Sequence, residues 1–277
     1  MTGELWLVAT PIGHLGDVSE RMRESLRDAD AILAEDTRRT RALLGHLGIA
    51  GKSVERFDAH VEARATEGVL DRLADGARLA LVSDAGTPVV SDPGARLVEG
   101  AVARGVTVTP IPGPCAVVTA LAASGFAGDR FRFLGFWPRA KKGRRDALVT
   151  VTDTEETVVF YEAPSRTATT LRELASRQPA RRAVVARELT KRHEELRRGS
   201  LEELSEVDAW RGEITIVLGP MRRDEGPAVD VDERIATLRA EGLRDKDVAK
   251  ALALETGMTS SDAYKRVIAA REDEADE

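Results

Sequence analysis

The sequence predicts an α/β protein of two successive α/β halves with a cleft between them, followed by a small C-terminal helical module. Three observations predict it. Short apolar runs rich in strand-forming residues alternate with longer segments of helical period. The alternation begins afresh after a stretch near 112–128 that opens on prolines and glycine. Beyond a Gly-Pro-containing break at 219–229 the pattern is helical only.

In the first half the strand candidates are 5–9, 31–34, 78–82 and 106–111, and the helical candidates lie near 19–29, 37–47, 61–75 and 94–104. Val69, Leu70, Leu73 and Ala77 give the third helix an apolar face. Strands separated by helix-length crossovers imply a parallel sheet. In the second half, strands are expected at 131–136, 157–161, 183–187 and 213–218, and helices at 165–177 and 200–208. Ser200-x-x-Glu203 opens the latter as a capping box. The expected organisation is therefore 1–112 and 113–219 as α/β domains, 220–229 as a linker, 230–271 as a helical module and 272–277 as an acidic tail. Within the module, helices are expected at 230–241, 244–256 and 260–271. Gly257 would stand at a turn and Thr259-x-x-Asp262 would cap the last helix, a helix-turn-helix-like pattern. A plain packing or dimerising appendage fits that pattern equally well.

Composition narrows the class. Apolar residues make up 42% of the 277, enough for a buried core, while 32% are charged, as a soluble surface requires. The net charge of −6 argues weakly against a partner held by bulk electrostatics, but leaves room for a local basic patch. A single cysteine, Cys115, excludes a disulfide framework and a multi-cysteine zinc site, and fits a reducing, cytoplasmic compartment. The chain enters Leu5-Trp6-Leu7-Val8 without a basic leader and long apolar stretch, so no signal peptide is expected. No apolar run approaches the roughly 18 residues of a membrane span.

Several familiar motifs are absent. There is no G-x-G-x-x-G and no G-x-S-x-G. Gly45 to Lys52-Ser53 imitates a phosphate loop, but the glycine spacing is one residue too long. His193-Glu194 has Arg197 where a zinc protease needs its second histidine. The four histidines, at 14, 46, 60 and 193, are scattered, and no metal site is expected.

The informative segments are strand-end turns. Val82 to Gly94 (VSDAGTPVVSDPG) follows a strand and precedes a helix, with Asp92 as expected N-cap and Pro93 in the first turn. Gly86 removes a side chain where backbone could approach a ligand, and Asp84 and Thr87 offer polar groups. Pro110 to Ala116 repeats the arrangement, with Pro114 near the first helical position. Ala9 to Asp17 and Ala34 to Arg39 are two further strand-end turns. In an open parallel sheet ligands bind beyond the carboxyl ends of the strands. Four such turns on one edge therefore predict a cleft.

Taken in order, Leu7 to Gly13, Ala34 to Arg38, Val82 to Pro88, Ser91 to Gly94, Pro112-Gly113-Pro114, Gly135-Phe136, Tyr161 to Arg166 and Arg187 to Lys191 resemble the ribosomal RNA small subunit methyltransferase I family. The resemblance runs from residue 5 to about 219 and extends to the helical tail. It implies the tetrapyrrole-methylase fold, two α/β domains with S-adenosylmethionine between them. It also implies methylation of a cytidine ribose 2′-oxygen in the decoding region of 16S rRNA, within the small ribosomal subunit, by a homodimer. The chain departs from the family at His14 (usually Asn), Cys115 (usually Ser) and Trp137 (commonly Leu).

On this resemblance, Pro11, Gly13, Asp84, Ala85, Gly86, Thr87, Pro112, Gly113, Cys115 and Ala116 would cradle the donor from the first domain. Tyr161, Arg187, Glu188 and Leu189 would cover it from the second. Glu35 or Asp36 is the candidate base, and Arg38 or Lys191 would orient phosphate or hydroxyl; for each, an ion pair bracing the cleft is the plainer role. Arg139, Lys141, Lys142, Arg144 and Arg145 carry five positive charges without an acid and are expected to form a phosphate-gripping loop, with Trp137 stacking on a base. A tetrapyrrole methylase of the same fold and a non-catalytic RNA-binding assembly factor are the competing functions.

Overall fold

The computed structural model describes residues 3–221, 231–256 and 260–273. They fall into two compact units, Met1–Met221 and Arg222–Glu277.

The first unit opens with β1 (Glu4–Val8), α1 (Glu20–Asp28), β2 (Ala31–Ala34), α2 (Thr37–His46), β3 (Ser53–Arg56), α3 (Glu62–Ala74), β4 (Arg78–Val82), α4 (Ala95–Ala103) and β5 (Thr107–Ile111). Their strands form one parallel sheet in the order β3-β2-β4-β1-β5. Side chains alternate across a strand, and both faces here are covered. Ala31, Leu33, Leu79 and Leu81 pack under Val69, Leu70 and Leu73 of α3 and Leu97 of α4. Ile32, Ala34, Ala80 and Val82 pack against Met22 and Leu26 of α1 and Leu44 of α2. This double coverage is why β2 and β4 read as unbroken apolar runs.

The second half adds α5 (Ala116–Ser124), β6 (Phe131–Phe136), α6 (Lys141–Asp153), β7 (Thr157–Glu162), α7 (Pro164–Ala175), β8 (Arg182–Arg187), β9 (Glu195–Ser200), α8 (Leu201–Ser205) and β10 (Ile214–Leu218). Its sheet runs β6-β7-β10-β8-β9 and is mixed: β6 and β7 are parallel, the other pairs antiparallel. One face holds Val158, Phe160, Val185 and Ile216 against Leu171 and Leu174 of α7. The other holds Val159, Val184 and Val217 against Val117, Ala120 and Leu121 of α5, and Ile12, from the loop after β1, joins that cluster. The two halves are thus fused through α5 and Ile12. The expected capping box of α8 is present, with both reciprocal hydrogen bonds made.

Five local expectations need correction. β3 was not expected, because Val54 is its only buried residue. β9 was not expected either; it is a charged edge strand whose only buried residue is Gly199, a common way of blunting a sheet edge. The basic stretch at 141–145 is not a loop but the first turns of α6, whose only buried residue is Val151, so the apolar period is faint. The N-cap of α4 is Gly94 (φ 125°), not Asp92, and that of α5 is Cys115, so Pro114 lies outside the helix.

The second unit packs α9 (Val231–Ala240), α10 (Asp245–Thr256) and α11 (Ser260–Asp273) around Ile235, Leu238, Val248, Leu252, Ala263 and Val267. The expected turn at Gly257, the Thr259 cap, and nearly all of the expected linker and acidic tail lie outside the described residues. Among the described residues no helix is long and apolar enough to cross a membrane.

Leu81 is 1% exposed between β4 and the α3–α4 layer, and its Cδ2 would lie 2.5 Å from a Cβ built on Gly94. Leu81→Ala is expected to lower unfolding free energy by about 2–5 kcal/mol in urea melts.

Candidate active site at the carboxyl edge of the parallel sheet

The loops leaving β1, β4 and β5 are tied to one another. Thr10 N donates to Gly86 O (2.8 Å) and Gly86 N to Thr10 O (3.0 Å), a two-bond bridge. Thr10 Oγ1 donates to Ser83 O (3.3 Å), and Thr87 Oγ1 to Pro114 O (3.3 Å). Gly86 sits at φ 88°, which only glycine adopts freely. Gly113 lies so close to Ala9 that a Cβ would approach the alanine methyl to 2.9 Å.

The second half closes on these loops with the turn after β8. His14 N donates to Thr190 Oγ1 (3.1 Å), and a Cβ on Gly13 would stand 2.5 Å from Lys191 Cγ. Among the described residues the non-glycine positions with positive φ are Val89 (74°), Ser91 (68°), Glu188 (51°) and Thr190 (65°). The first two lie in the loop after β4 and the other two in the loop after β8. Such backbone costs of order 1–3 kcal/mol per residue, and its concentration here makes this edge the candidate site. The His14 departure is locally conservative: its Nδ1 accepts from Gly16 N (3.0 Å), and an asparagine Oδ1, also bonded to Cγ, could take the same bond.

Carboxylates dominate the electrostatics. Asp84 accepts from Asp36 N (2.9 Å) and faces the Arg39 guanidinium (3.4 Å). Asp36 caps α2 by accepting from Arg38 N (2.8 Å) and also holds the Arg38 side chain, which keeps its carboxyl below the usual range. Glu35 behaves oppositely: burial, then the neighbouring Asp84, raises its pKa. Burial, followed by the charge of Glu35, pushes Asp92 up to about 6, an effect that the Ser83 hydroxyl partly offsets. Tyr161 is also raised, by burial first and then by Cys115 and Asp92. Asp92 therefore lies within electrostatic reach of Glu35 and Asp84 on one side and Tyr161 on the other. Among the described residues no three His, Cys, Asp or Glu side chains are placed to hold a metal ion.

Two cavities adjoin the bridge. A cleft of about 420 Å³ is lined by Thr10, Pro11, Gly13, Leu15, Arg39, Thr40, Leu43, His46, Ser83 and Asp84. A seam cavity of about 30 Å³ is lined by Ile12, Ala85, Gly86, Thr87, Val90, Cys115, Ala116 and Tyr161. Of the expected donor residues, Pro11, Gly13 and Asp84 line the cleft and Ala85, Gly86, Thr87, Cys115, Ala116 and Tyr161 the seam cavity, whereas Pro112, Gly113, Arg187, Glu188 and Leu189 line neither. Arg187, Glu188 and Lys191 spend their side chains on structure. Arg187 pairs with Glu195 (2.6 Å), while Lys191 Nζ meets Glu188 (3.1 Å) and Glu213 (3.0 Å). Leu189 is buried against α5 and Ile12. Arg39, rather than Arg38, lines the larger cleft.

Of the five basic residues, Arg139, Lys141, Lys142 and Arg145 are exposed, whereas Arg144 is paired with Glu173 of α7. Trp137 cannot stack on a base: it is 1% exposed, packed against Phe160 with ring centroids 4.7 Å apart. The sequence pattern suggests only a helix cap for Asp92 and no role for Ile12 or for the exposed ring of Phe136. The Ser91-Asp92-Pro93-Gly94 run was the available signal for Asp92.

The model of the tetrapyrrole (corrin/porphyrin) methylase family matches residues 4–205. Ribosomal RNA small subunit methyltransferase I of Halalkalibacterium halodurans is 42% identical over 275 residues, covering 95% of this chain and 93% of that protein. The protein of the same name from Escherichia coli O157:H7 is 40% identical, covering 95% and 94%. The chain belongs to the ribosomal RNA small subunit methyltransferase I family, within the tetrapyrrole methylases. Solved structures agree on the fold. A diphthine synthase superposes with a TM-score of 0.63 at 17% identity, over 78% of this chain and 90% of that one. A Thermus thermophilus uroporphyrin-III C-methyltransferase complexed with S-adenosylhomocysteine gives 0.57 at 19%, over 78% and 97%.

Because the negative charge of Glu35 helps hold the Asp92 proton, Glu35→Gln is expected to lower the Asp92 titration midpoint below about 6. Carboxyl-detected NMR titration of the two proteins measures it, and an unchanged midpoint would contradict the coupling.

Proposed function

We propose that this chain transfers a methyl group from S-adenosylmethionine to the ribose 2′-oxygen of a cytidine in the decoding region of 16S rRNA, acting in the cytoplasm on the small ribosomal subunit. The observation that carries the proposal is the convergence of Glu35, Asp84 and Asp92 at the carboxyl edge of the parallel sheet. It occurs in a chain about 40% identical, nearly end to end, to proteins named for ribosomal RNA methylation.

The residues fit that donor. It carries a sulfonium and an ammonium group, and half-buried carboxylates are the natural counter-charge. The cleft of about 420 Å³ falls within the range of small-molecule sites. Gly13 lines that cleft and Gly86 the seam cavity. Pro11, Gly13, Asp84 to Thr87 and Pro112 to Ala116 would hold the donor from the first half, and Tyr161 with the Arg187–Leu189 backbone from the second. When bound, the donor supplies a methyl carbon activated by sulfonium, which departs as a neutral thioether.

The protein's own part is positioning and proton transfer. Glu35 takes the proton of the 2′-hydroxyl as its oxygen forms the new bond, because its carboxylate is the more basic of the adjacent pair; Asp36 is held low by Arg38 and by its cap. Arg38, largely exposed, and the basic residues Arg139, Lys141, Lys142 and Arg145 face phosphates. At the start of α6 these cations stand against the positive end of the helix dipole, and no side chain caps that end. The placement disfavours the isolated helix and favours a bound polyanion.

Purified protein, labelled donor and small subunits lacking the modification provide the test. Label mapped by mass spectrometry to one cytidine ribose is the expected result. Transfer to a porphyrinogen-like acceptor, or donor binding with no transfer to subunits or free 16S RNA, would sink the proposal. Asp92 adds a pH signature. Above about pH 6 it is ionised and attracts the cationic donor, so affinity measured by calorimetry should fall as pH drops from 7.5 to 5. Asp92→Asn should flatten that dependence and weaken binding at neutral pH by roughly tenfold, about 1.4 kcal/mol.

A further inference from the structure

Phe136 is a large apolar ring left 60% exposed beside the site. Its position has a structural cause. Phe133 pairs with Val159 and Phe136 with Tyr161, so β6 spends three residues where β7 spends two, a bulge. Residues three apart on a regular strand face opposite sides; the bulge brings Phe133 and Phe136 to the same side, each with its ring centroid 5.2 Å from that of Tyr161. Gly135, at φ 67°, makes the bulge and nests against Ser91 of the first half, where a Cβ would stand 3.4 Å from the serine hydroxyl. The ladder resumes at once, Trp137 N donating to Tyr161 O at 2.8 Å.

The consequence is an aromatic platform at the junction of the two halves. Tyr161 lines the seam cavity. Phe133 meets it edge-on, and Phe136 leans against it at 56° with much of its own ring turned to solvent. Ser91, against which the bulge nests, is the residue before Asp92. Three residues beyond Phe136 begin the exposed cations Arg139, Lys141 and Lys142. An exposed π-face beside a reaction centre, followed at once by cations that suit phosphates, is what an unstacked nucleotide requires.

We infer that Phe136 is the floor of a nucleobase subsite, on which the base of the acceptor nucleotide stacks after leaving its own helix, so that its ribose faces the carboxylate edge. This rests on the proposed rRNA methyl transfer and adds the element that presents the acceptor. Stacking tolerates any base, so the ring governs presentation rather than base identity.

Steady-state methyl transfer to unmodified small subunits by full-length wild type, F136A, F136L and F136W, with donor affinity from calorimetry and oligomeric state from light scattering, tests the subsite. F136A and F136L are expected to lose roughly 5- to 150-fold in kcat/KM, the range for removing one base–aromatic stack. F136W should keep most of the activity, and all four proteins should bind donor within about twofold, as expected for a residue contacting only the acceptor. The leucine variant separates a π-face from mere apolar bulk, and because the ring is exposed the melting temperature should change little in any variant. Unchanged kcat/KM in F136A, full activity in F136L, loss that follows donor affinity, or a change of oligomeric state showing that a second copy covers the ring would each overturn the subsite. Wild type inactive on subunits would overturn the rRNA proposal and the subsite with it.

Discussion

Burying both faces of the parallel sheet is the constraint on which the rest of the molecule depends. With α1 and α2 on one face and α3 and α4 on the other, β2 and β4 have no open surface except their ends. Chemistry is therefore confined to the carboxyl edge, where the chain must turn from strand to helix within a few residues. The Thr10–Gly86 bridge is the local expression of this confinement: the loops leaving two neighbouring parallel strands form an isolated antiparallel bridge beyond the sheet, which clamps the turn that carries Asp84 and Asp92.

That clamp is costly in two ways, and the costs fall together. Val89, Ser91, Glu188 and Thr190 hold left-handed backbone, which β-branched residues strongly disfavour. Glu35, Asp84 and Asp92 share a half-buried region in which Asp84 raises the proton affinity of Glu35, and Glu35 and Asp84 both raise that of Asp92. Neither arrangement helps the fold. Stability comes from elsewhere, from the apolar seam where α5 and Ile12 meet the second sheet, and from ion pairs such as Lys191 with Glu188 and Glu213 that pin the second loop. A surplus of negative charge held in place by a rigid frame is an arrangement that a cationic ligand relieves.

Strands with both faces covered were legible in the sequence because coverage leaves an apolar run, as in Leu79 to Val82 and Ile214 to Leu218. Edge strands were not. β3 and β9 bury one residue each, so their side chains record solvent rather than neighbours. The site was legible as a set of turns, since Gly86, Gly94 and Gly113 declare backbone that no other residue could adopt or pack. Its electrostatics were not. Asp92 looks like any N-cap before Pro93, and only the fold shows that the helix begins after Gly94 and leaves that carboxylate to face Glu35. Likewise Asp36 and Glu35 are adjacent and alike on paper; the cap and Arg38 separate them in three dimensions.

The aromatic residues show how one inserted residue redirects function. In Phe136-Trp137 the tryptophan offers the larger ring, and from sequence it is the better stacking candidate. The bulge at Gly135 decides otherwise, placing Phe136 beside Tyr161 at the junction and sending Trp137 into the core against Phe160. The indole N–H of Trp137 is buried without a hydrogen-bond partner, a penalty of about 1–3 kcal/mol that core packing must offset. A leucine at this position would fill part of the same space without an N–H to satisfy. The tryptophan is thus a variation in the core of the second half, while the ring available to a ligand is the neighbour that the bulge turned outward. The first half contributes carboxylates and the second aromatic rings and cations, and under the proposed function the acceptor would meet both at the line where they join.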